Sequence, residues 1–230
     1  MAATPETLAA LRRQLAARFP AALSKPGRAL CTGIPALDEA AGGVPLAAVT
    51  ELACTAPSVG SKLFLAQLLA VARAGCTRVA LIDAADSFDP ESLPADQLSH
   101  LVWVRCPRAA DLGSKTTATS IALQAADLLA RDANFGLVVL DLRRAPEADL
   151  RRIPGPLWYR LQRAVEPTDL ALVVLTPRPS VPSAQLRLIL DTPAGPGALA
   201  ADRDPLAARL VPTIQRQRLA LDRLEGASAG

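Results

Sequence analysis

A chain of 230 residues, half of them apolar, is long enough for one substantial core with short appendages, and no Pro/Gly/Ser-rich linker divides it. With one histidine, His100, neither a Ser-His triad nor a histidine-based metal site is expected, and the widely separated Cys31, Cys54, Cys76 and Cys106 point to buried free thiols rather than zinc pairs or disulfides. The net charge of +3 is mild, no apolar run approaches the ~20 residues of a membrane span, and no secretory signal opens the chain, so a soluble cytoplasmic protein is expected, with no membrane partner. Arginine far outnumbers lysine, which appears only at Lys25, Lys62 and Lys115, but a GC-rich genome enriches Arg and Ala alike, so this carries no nucleic-acid signal of its own.

Thr4-Pro5-Glu6 is a helix start, and Leu8, Leu11, Leu15 and Phe19 then share one face until Pro20 stops the run. This amphipathic helix either packs on its own domain or docks on a neighbouring molecule. After a Pro/Gly connector, a short helix near Ala36 to Ala41, a Gly42-Gly43 turn and a buried strand over Val49 to Ala53 follow. Leu63 to Ala72 is a helix apolar nearly all round, as burial against a sheet requires.

Strands are predicted at Val79 to Ile82, Leu101 to Val104, Leu137 to Leu140 and Leu170 to Leu175, with helices over Thr117 to Arg131 and about Pro156 to Val165. In the first of these helices Ile121, Leu123, Leu128 and Leu129 are expected inside. Apolar strands alternating with helices imply a parallel sheet covered on both faces, an α/β architecture. Gln185 to Leu190 alternates and is predicted as an edge or antiparallel strand; Leu210 to Arg218 is ambiguous between strand and helix; residues 226–230 are expected to be disordered.

The stretch from Glu51 to Leu69 carries the chemistry. A phosphate-binding loop has the form G-x-x-x-x-G-K-S/T, in which backbone N–H groups cradle the phosphates, the Lys meets their charge and the hydroxyl binds magnesium. Counting back from Gly60 puts Thr55 where the first Gly belongs, Ser61 where the Lys belongs and Lys62 where the hydroxyl belongs. The frame is kept and the chemistry is lost.

With this loop in place, the chain resembles the core of the RecA family of recombinases over roughly Arg28 to Asp191. TGIPALDEAAGGVPLAAVTEL, Thr32 to Leu52, is similar to that family's first signature, LIDAADSFDP, Leu81 to Pro90, to its second, and LVVLDL, Leu137 to Leu142, to its Walker B strand. Together with the helix carrying Trp158-Tyr159-Arg160-Leu161-Gln162-Arg163, these features look most like the ImuA proteins, accessories of damage-induced mutagenesis. The resemblance implies a RecA-like core at 28–191 with a mostly parallel central sheet flanked by helices, a short N-terminal helix and connector at 1–27, and a C-terminal extension at 192–225 with antiparallel edge strands.

Carried over residue by residue, the resemblance puts the catalytic glutamate on Ala85 and the nucleotide-sensing glutamine near Thr176 and Pro177, while the Walker B acid survives as Asp141, to cap its strand or pair with a nearby Arg. A degenerate nucleotide site at Thr55, Gly60, Ser61, Lys62, Ala85, Asp141 and Pro177 is therefore expected, with no catalytic residues, metal or cofactor, since phosphoryl transfer depends on positioned charge. Arg143, Arg144, Arg151 and Arg152 fall where the family carries its first DNA-binding loop and are the candidates for weak DNA binding. Trp158 and Tyr159 are either base-stacking or core residues. The face of Leu8, Leu11, Leu15 and Phe19 is expected to dock on a RecA-type surface, of a second copy or of RecA itself. The implied function is a non-catalytic adaptor in translesion synthesis, acting with an ImuB-type polymerase homologue; the alternative is an ATP-dependent RecA-like recombinase with an atypical loop.

Overall fold

The structure, a computed structural model, describes residues 28–107, 116–195, 197–198 and 201–218. The expected N-terminal helix with Leu8, Leu11, Leu15 and Phe19, and the C-terminal tail, lie outside the described residues. A small antiparallel ribbon, β1 (Ala29–Leu30) with β2 (Val44–Pro45), brackets the helix α1 (Pro35–Ala41). The Asp38 carboxylate in α1 accepts hydrogen bonds from the Thr32 and Gly33 amides, each at 2.9 Å, and from Thr32 Oγ1 at 2.7 Å. The T-G-x-x-x-L-D pattern is thus a clip: Asp38 satisfies donors that the turn before α1 would otherwise leave bare.

The remaining elements alternate. β3 (Ala48–Cys54) leads through the loop to α2 (Ser61–Ala74), then β4 (Val79–Asp83), a short α3 (Ala95–Leu98), β5 (Leu101–Arg105), α4 (Ala118–Leu129) and β6 (Leu137–Asp141). There follow α5 (Glu147–Arg152), α6 (Gly155–Val165), β7 (Ala171–Thr176), β8 (Leu186–Leu190), α7 (Arg203–Ala208) and β9 (Thr213–Gln217). The strands form one seven-stranded sheet in the order β5-β4-β6-β7-β3-β8-β9. Every neighbouring pair is parallel except β8 with β9. The chain is a mixed α/β fold whose mostly parallel sheet is flanked by helices.

Period-two alternation divides the buried side chains between two layers. On one face Leu52, Leu81, Val139 and Val173 meet Phe64, Leu65, Leu68 and Leu69 of α2. On the other, Val49, Ile82, Leu140 and Val174 meet Ala122, Leu123 and Ala126 of α4 and Trp158 and Leu161 of α6. Each large side chain so buried contributes about 1.5–3 kcal/mol relative to exposure.

Several expectations need correction. Gln185 to Leu190, expected as an edge or antiparallel strand, is antiparallel to β9 but is not an edge: β8 lies between β9 and β3 and is parallel to β3. Leu210 to Arg218 resolves as strand over Thr213–Gln217, which forms an edge of the sheet. Leu128 points outward, 71% exposed, while Asp127 turns inward to Arg160, because the small Ala122 and Ala126 set the buried stripe of α4. The arginine-rich segment after β6 includes a helix, α5, with Glu147 and Asp149 in its first turn and Arg151 and Arg152 in its last. Cys31 and Cys76 are exposed, Cys54 is half-buried and only Cys106 is buried; all four are free. No helix among the described residues is long and apolar enough to cross a membrane.

Candidate functional site

The carboxyl ends of β3, β4, β6, β7 and β8 share one edge of the sheet, where open α/β sheets form their ligand crevices. Asp141 ends β6 there with a 3% exposed side chain. The backbone turns immediately after it, so Arg143, two residues on, folds back over the same carboxylate. Arg143 Nε donates to Asp141 Oδ1 at 2.9 Å, Nη2 to Oδ2 at 2.5 Å, and the Arg143 amide to Oδ1 at 3.0 Å. The free arm, Nη1, donates to Ser61 Oγ at 2.6 Å. One guanidinium therefore ties the end of β6 to the first residue of α2.

Arg143 is only 15% exposed. Desolvation, the largest influence, pushes against its charge, but the hydrogen bond and Coulombic attraction from Asp141 outweigh it, and the net shift is upward. The same crevice pushes the Cys54 thiol up to about 11, chiefly by burial, against the opposing pull of Arg143 and of a Ser61 hydrogen bond. A magnesium nucleotide needs a free acid here and a hydroxyl at the position that Lys62 holds. Both oxygens of Asp141 and the Ser61 oxygen are engaged by Arg143, so these residues do not fit that ion.

The loop itself is held by the end of the neighbouring β8 and the segment that follows it. Thr55 donates its amide to the Leu190 carbonyl at 3.0 Å, and Ser58 accepts from the Ala194 amide at 2.9 Å. Gly60 has φ +87°, and a Cβ built on it would overlap Leu210 Cδ2, so Leu210 is packed directly on the loop at this glycine. Lys62 is exposed and turns aside, lining a cavity of about 150 Å³ with Phe88, Asp89, Leu93 and Arg203.

At the end of β4, Ala85 brings no carboxylate. Asp83 instead accepts from the amides of Ala85 at 3.3 Å and of Ser87 and Phe88, both at 2.8 Å, which shapes the turn that follows. Asp86, at φ +50°, pairs with Arg105 at 2.7 Å and turns to the edge of the sheet. Beside β7, Thr176 Oγ1 donates to Glu51 at 3.0 Å and Pro177 follows without an amide hydrogen. Glu51, fully buried in β3, also takes the Ser180 amide at 2.5 Å, the Val181 amide at 3.1 Å and Arg187 Nε at 2.6 Å.

No protein-family model matches this chain, and no curated protein does. The functional reading therefore rests on the residues themselves.

The four expected DNA-contact arginines are not all on one exposed face. Arg143 is turned into the crevice, whereas Arg144, Arg151 and Arg152 are exposed, and Arg151 pairs with Glu147 at 2.6 Å. Arg178 pairs with the same Glu147. Of the two aromatics on α6, Trp158 is core at 2% exposed and Tyr159 is 47% exposed. Sequence reasoning missed Glu51 as an anchor of the loop after β7. Its signal was a carboxylate inside an apolar strand, matched by Arg187, the one charge in the alternating run of β8.

Proposed function

We propose that this chain is a RecA-like adaptor without ATPase activity, working in DNA-damage-induced translesion synthesis, with an ImuB-type polymerase homologue as partner and RecA as a second. The observation that carries the reading is Arg143, whose guanidinium holds both oxygens of Asp141, the acid that a nucleotide-bound magnesium would need. Leu210 over Gly60, the absent carboxylate at Ala85 and the proline at position 177 support it independently. The sheet order, with β3 between β7 and β8 and its following loop at the carboxyl edge, supports the RecA-like assignment.

A fold whose crevice acid is held by its own Arg143 has its surfaces left for function, and the adaptor binds through these. Titration of the full chain with a fluorescent ATP analogue and magnesium should give no saturable signal and no turnover. Micromolar binding with hydrolysis would overturn the reading in favour of an ATP-dependent recombinase with an atypical loop. Capture of the tagged chain from DNA-damaged cells should retain the polymerase homologue, and removal of residues 1–20 should release RecA or a second copy.

A further inference from the structure

The other arginines whose charge is perturbed, Arg28, Arg73, Arg105, Arg143 and Arg160, are each held up by a paired carboxylate. Arg216 is shifted the other way. Desolvation lowers its pKa first, and the neighbouring charges of Arg187 and Arg218 add to that. The cause lies in the strand register: Arg187 of β8 stands directly opposite Arg216 of β9, and Arg218 follows two residues later on the same side of the strand. Arg187 is neutralised internally by Glu51. Neither Arg216 nor Arg218 has a carboxylate in an ion pair among the described residues, and the more distant Glu51 only partly offsets the charge on Arg216.

An exposed tyrosine, Tyr159, lies near enough to act on the charge of Arg216. Arg216 Nη1 donates to the Pro182 carbonyl at 3.1 Å, and Ser183 Oγ donates to the Trp158 carbonyl at 2.9 Å. The Pro182-Ser183 segment therefore joins the Arg216 guanidinium to the turn of α6 that carries Tyr159. Tyr159 is among the few large hydrophobic side chains left exposed, at 47%. Arg163, one helical turn further on, is also exposed and without a carboxylate partner among the described residues.

We propose that the α6–β9 face is a contact surface for single-stranded nucleic acid, with Arg216 and Arg218 on its phosphates and Tyr159 under a base. Guanidinium forks match phosphate oxygens, and a half-exposed ring near them supplies the sequence-tolerant stacking that single strands use. A polyanion also relieves the repulsion among the arginines, which favours occupancy. An acidic peptide would use the arginines but not the ring. The surface is separate from Arg143 and the crevice; it goes beyond the adaptor reading, whose partners it does not require.

The test is fluorescence anisotropy of the full chain with labelled oligo-dT and oligo-rU, at several salt concentrations. Binding should weaken steeply with salt. The double variant R216A/R218A should bind at least tenfold more weakly and reduce the salt slope by about 1.4, from ~0.7 per lost phosphate contact. Y159A should weaken binding about fivefold or more while Y159F does not, and R144A/R152A should leave it unchanged. Unchanged thermal melting of each variant separates lost contact from lost fold. The two oligonucleotides decide between DNA and RNA. Absence of binding at low salt, or equal binding by wild type and R216A/R218A, would overturn the proposal. So would a loss on arginine substitution with no effect of Y159A and full competition by poly-glutamate, which would make the face a site for acidic protein.

Discussion

Leu210 occupies the space that a Cβ on Gly60 would need, so the segment after α7 is packed directly on the loop after β3. In a working phosphate loop this glycine lets the backbone approach phosphate; here it lets in a leucine. Substitution G60A meets two costs, a left-handed φ of +87° for an L-residue, about 1–2 kcal/mol, and overpacking against Leu210, about 1–3 kcal/mol. Urea unfolding should show a combined loss of ~3 kcal/mol in the wild-type background and only the first part in L210A. Equal losses in both backgrounds would rule the contact out as an energetic coupling.

The Arg143–Asp141 pair is nearly dry, so removing one partner strands a buried charge. R143A should cost about 3–5 kcal/mol, well above the ~1 kcal/mol of an exposed pair. An apolar double replacement, R143M with D141L, should recover most of that loss, since no charge is then left behind. R143A should also fail to bind magnesium-ATP, because Ser61 still stands where the loop needs a lysine and Ala85 still lacks a carboxylate. A denaturation midpoint for R143A indistinguishable from wild type would show the pair to be loosely solvated.

Strands β3 to β7 were legible because each is a mostly apolar run, closed by a charged residue at Asp83 and at Asp141, whereas the alternating β8 and the polar β9 were not fully so. The damaged loop was legible too, since residue identity alone decides it. Arg143 was not: two residues past a strand, a side chain can face either way, and only the turn that brings its amide to Asp141 Oδ1 directs it inward. Helix α5 was hidden because its arginines drew a charge reading, although acids in the first turn and bases in the last are what a helix dipole favours. Leu128 was misplaced because hydrophobicity outranked size, whereas α4 lies against the sheet on alanines.

The four thiols should separate by reactivity. Burial raises Cys54 and Cys106 to about 11 from an ordinary 9.0, and Cys31 is raised by its hydrogen bond to Asp38, while Cys76 is exposed. A thiol reagent at mildly alkaline pH should label Cys76 first, Cys31 more slowly, and Cys54 and Cys106 only on unfolding, because the thiolate is the nucleophile. The linkage sign follows from the raised values. Below 9.0 both states keep these two thiols protonated; between 9.0 and about 11 only the unfolded chain ionises them, so their contribution to stability is lost across that window. Urea midpoints should fall over that range, less steeply in C106A. Equal slopes would show that Cys106 does not contribute.

Glu51 should prove as important to the fold as any apolar core residue. Its Oε1 gathers Thr176, Ser180 and Val181, and its Oε2 takes Arg187, whose Nη2 donates in turn to the Val181 carbonyl at 2.7 Å. The buried pair thus fastens the segment after β7 to β3 and β8 together. E51A removes the acceptor for two amides and the partner of an 11% exposed guanidinium, and should cost about 3–5 kcal/mol. R187A should cost a similar amount by leaving the carboxylate unpaired, yet it keeps the Ser180 and Val181 amides bonded. Hydrogen exchange distinguishes the two: both amides should lose protection in E51A and retain it in R187A. Loss of protection in R187A as well would mean that the ion pair, not the carboxylate's own acceptor oxygens, holds the segment.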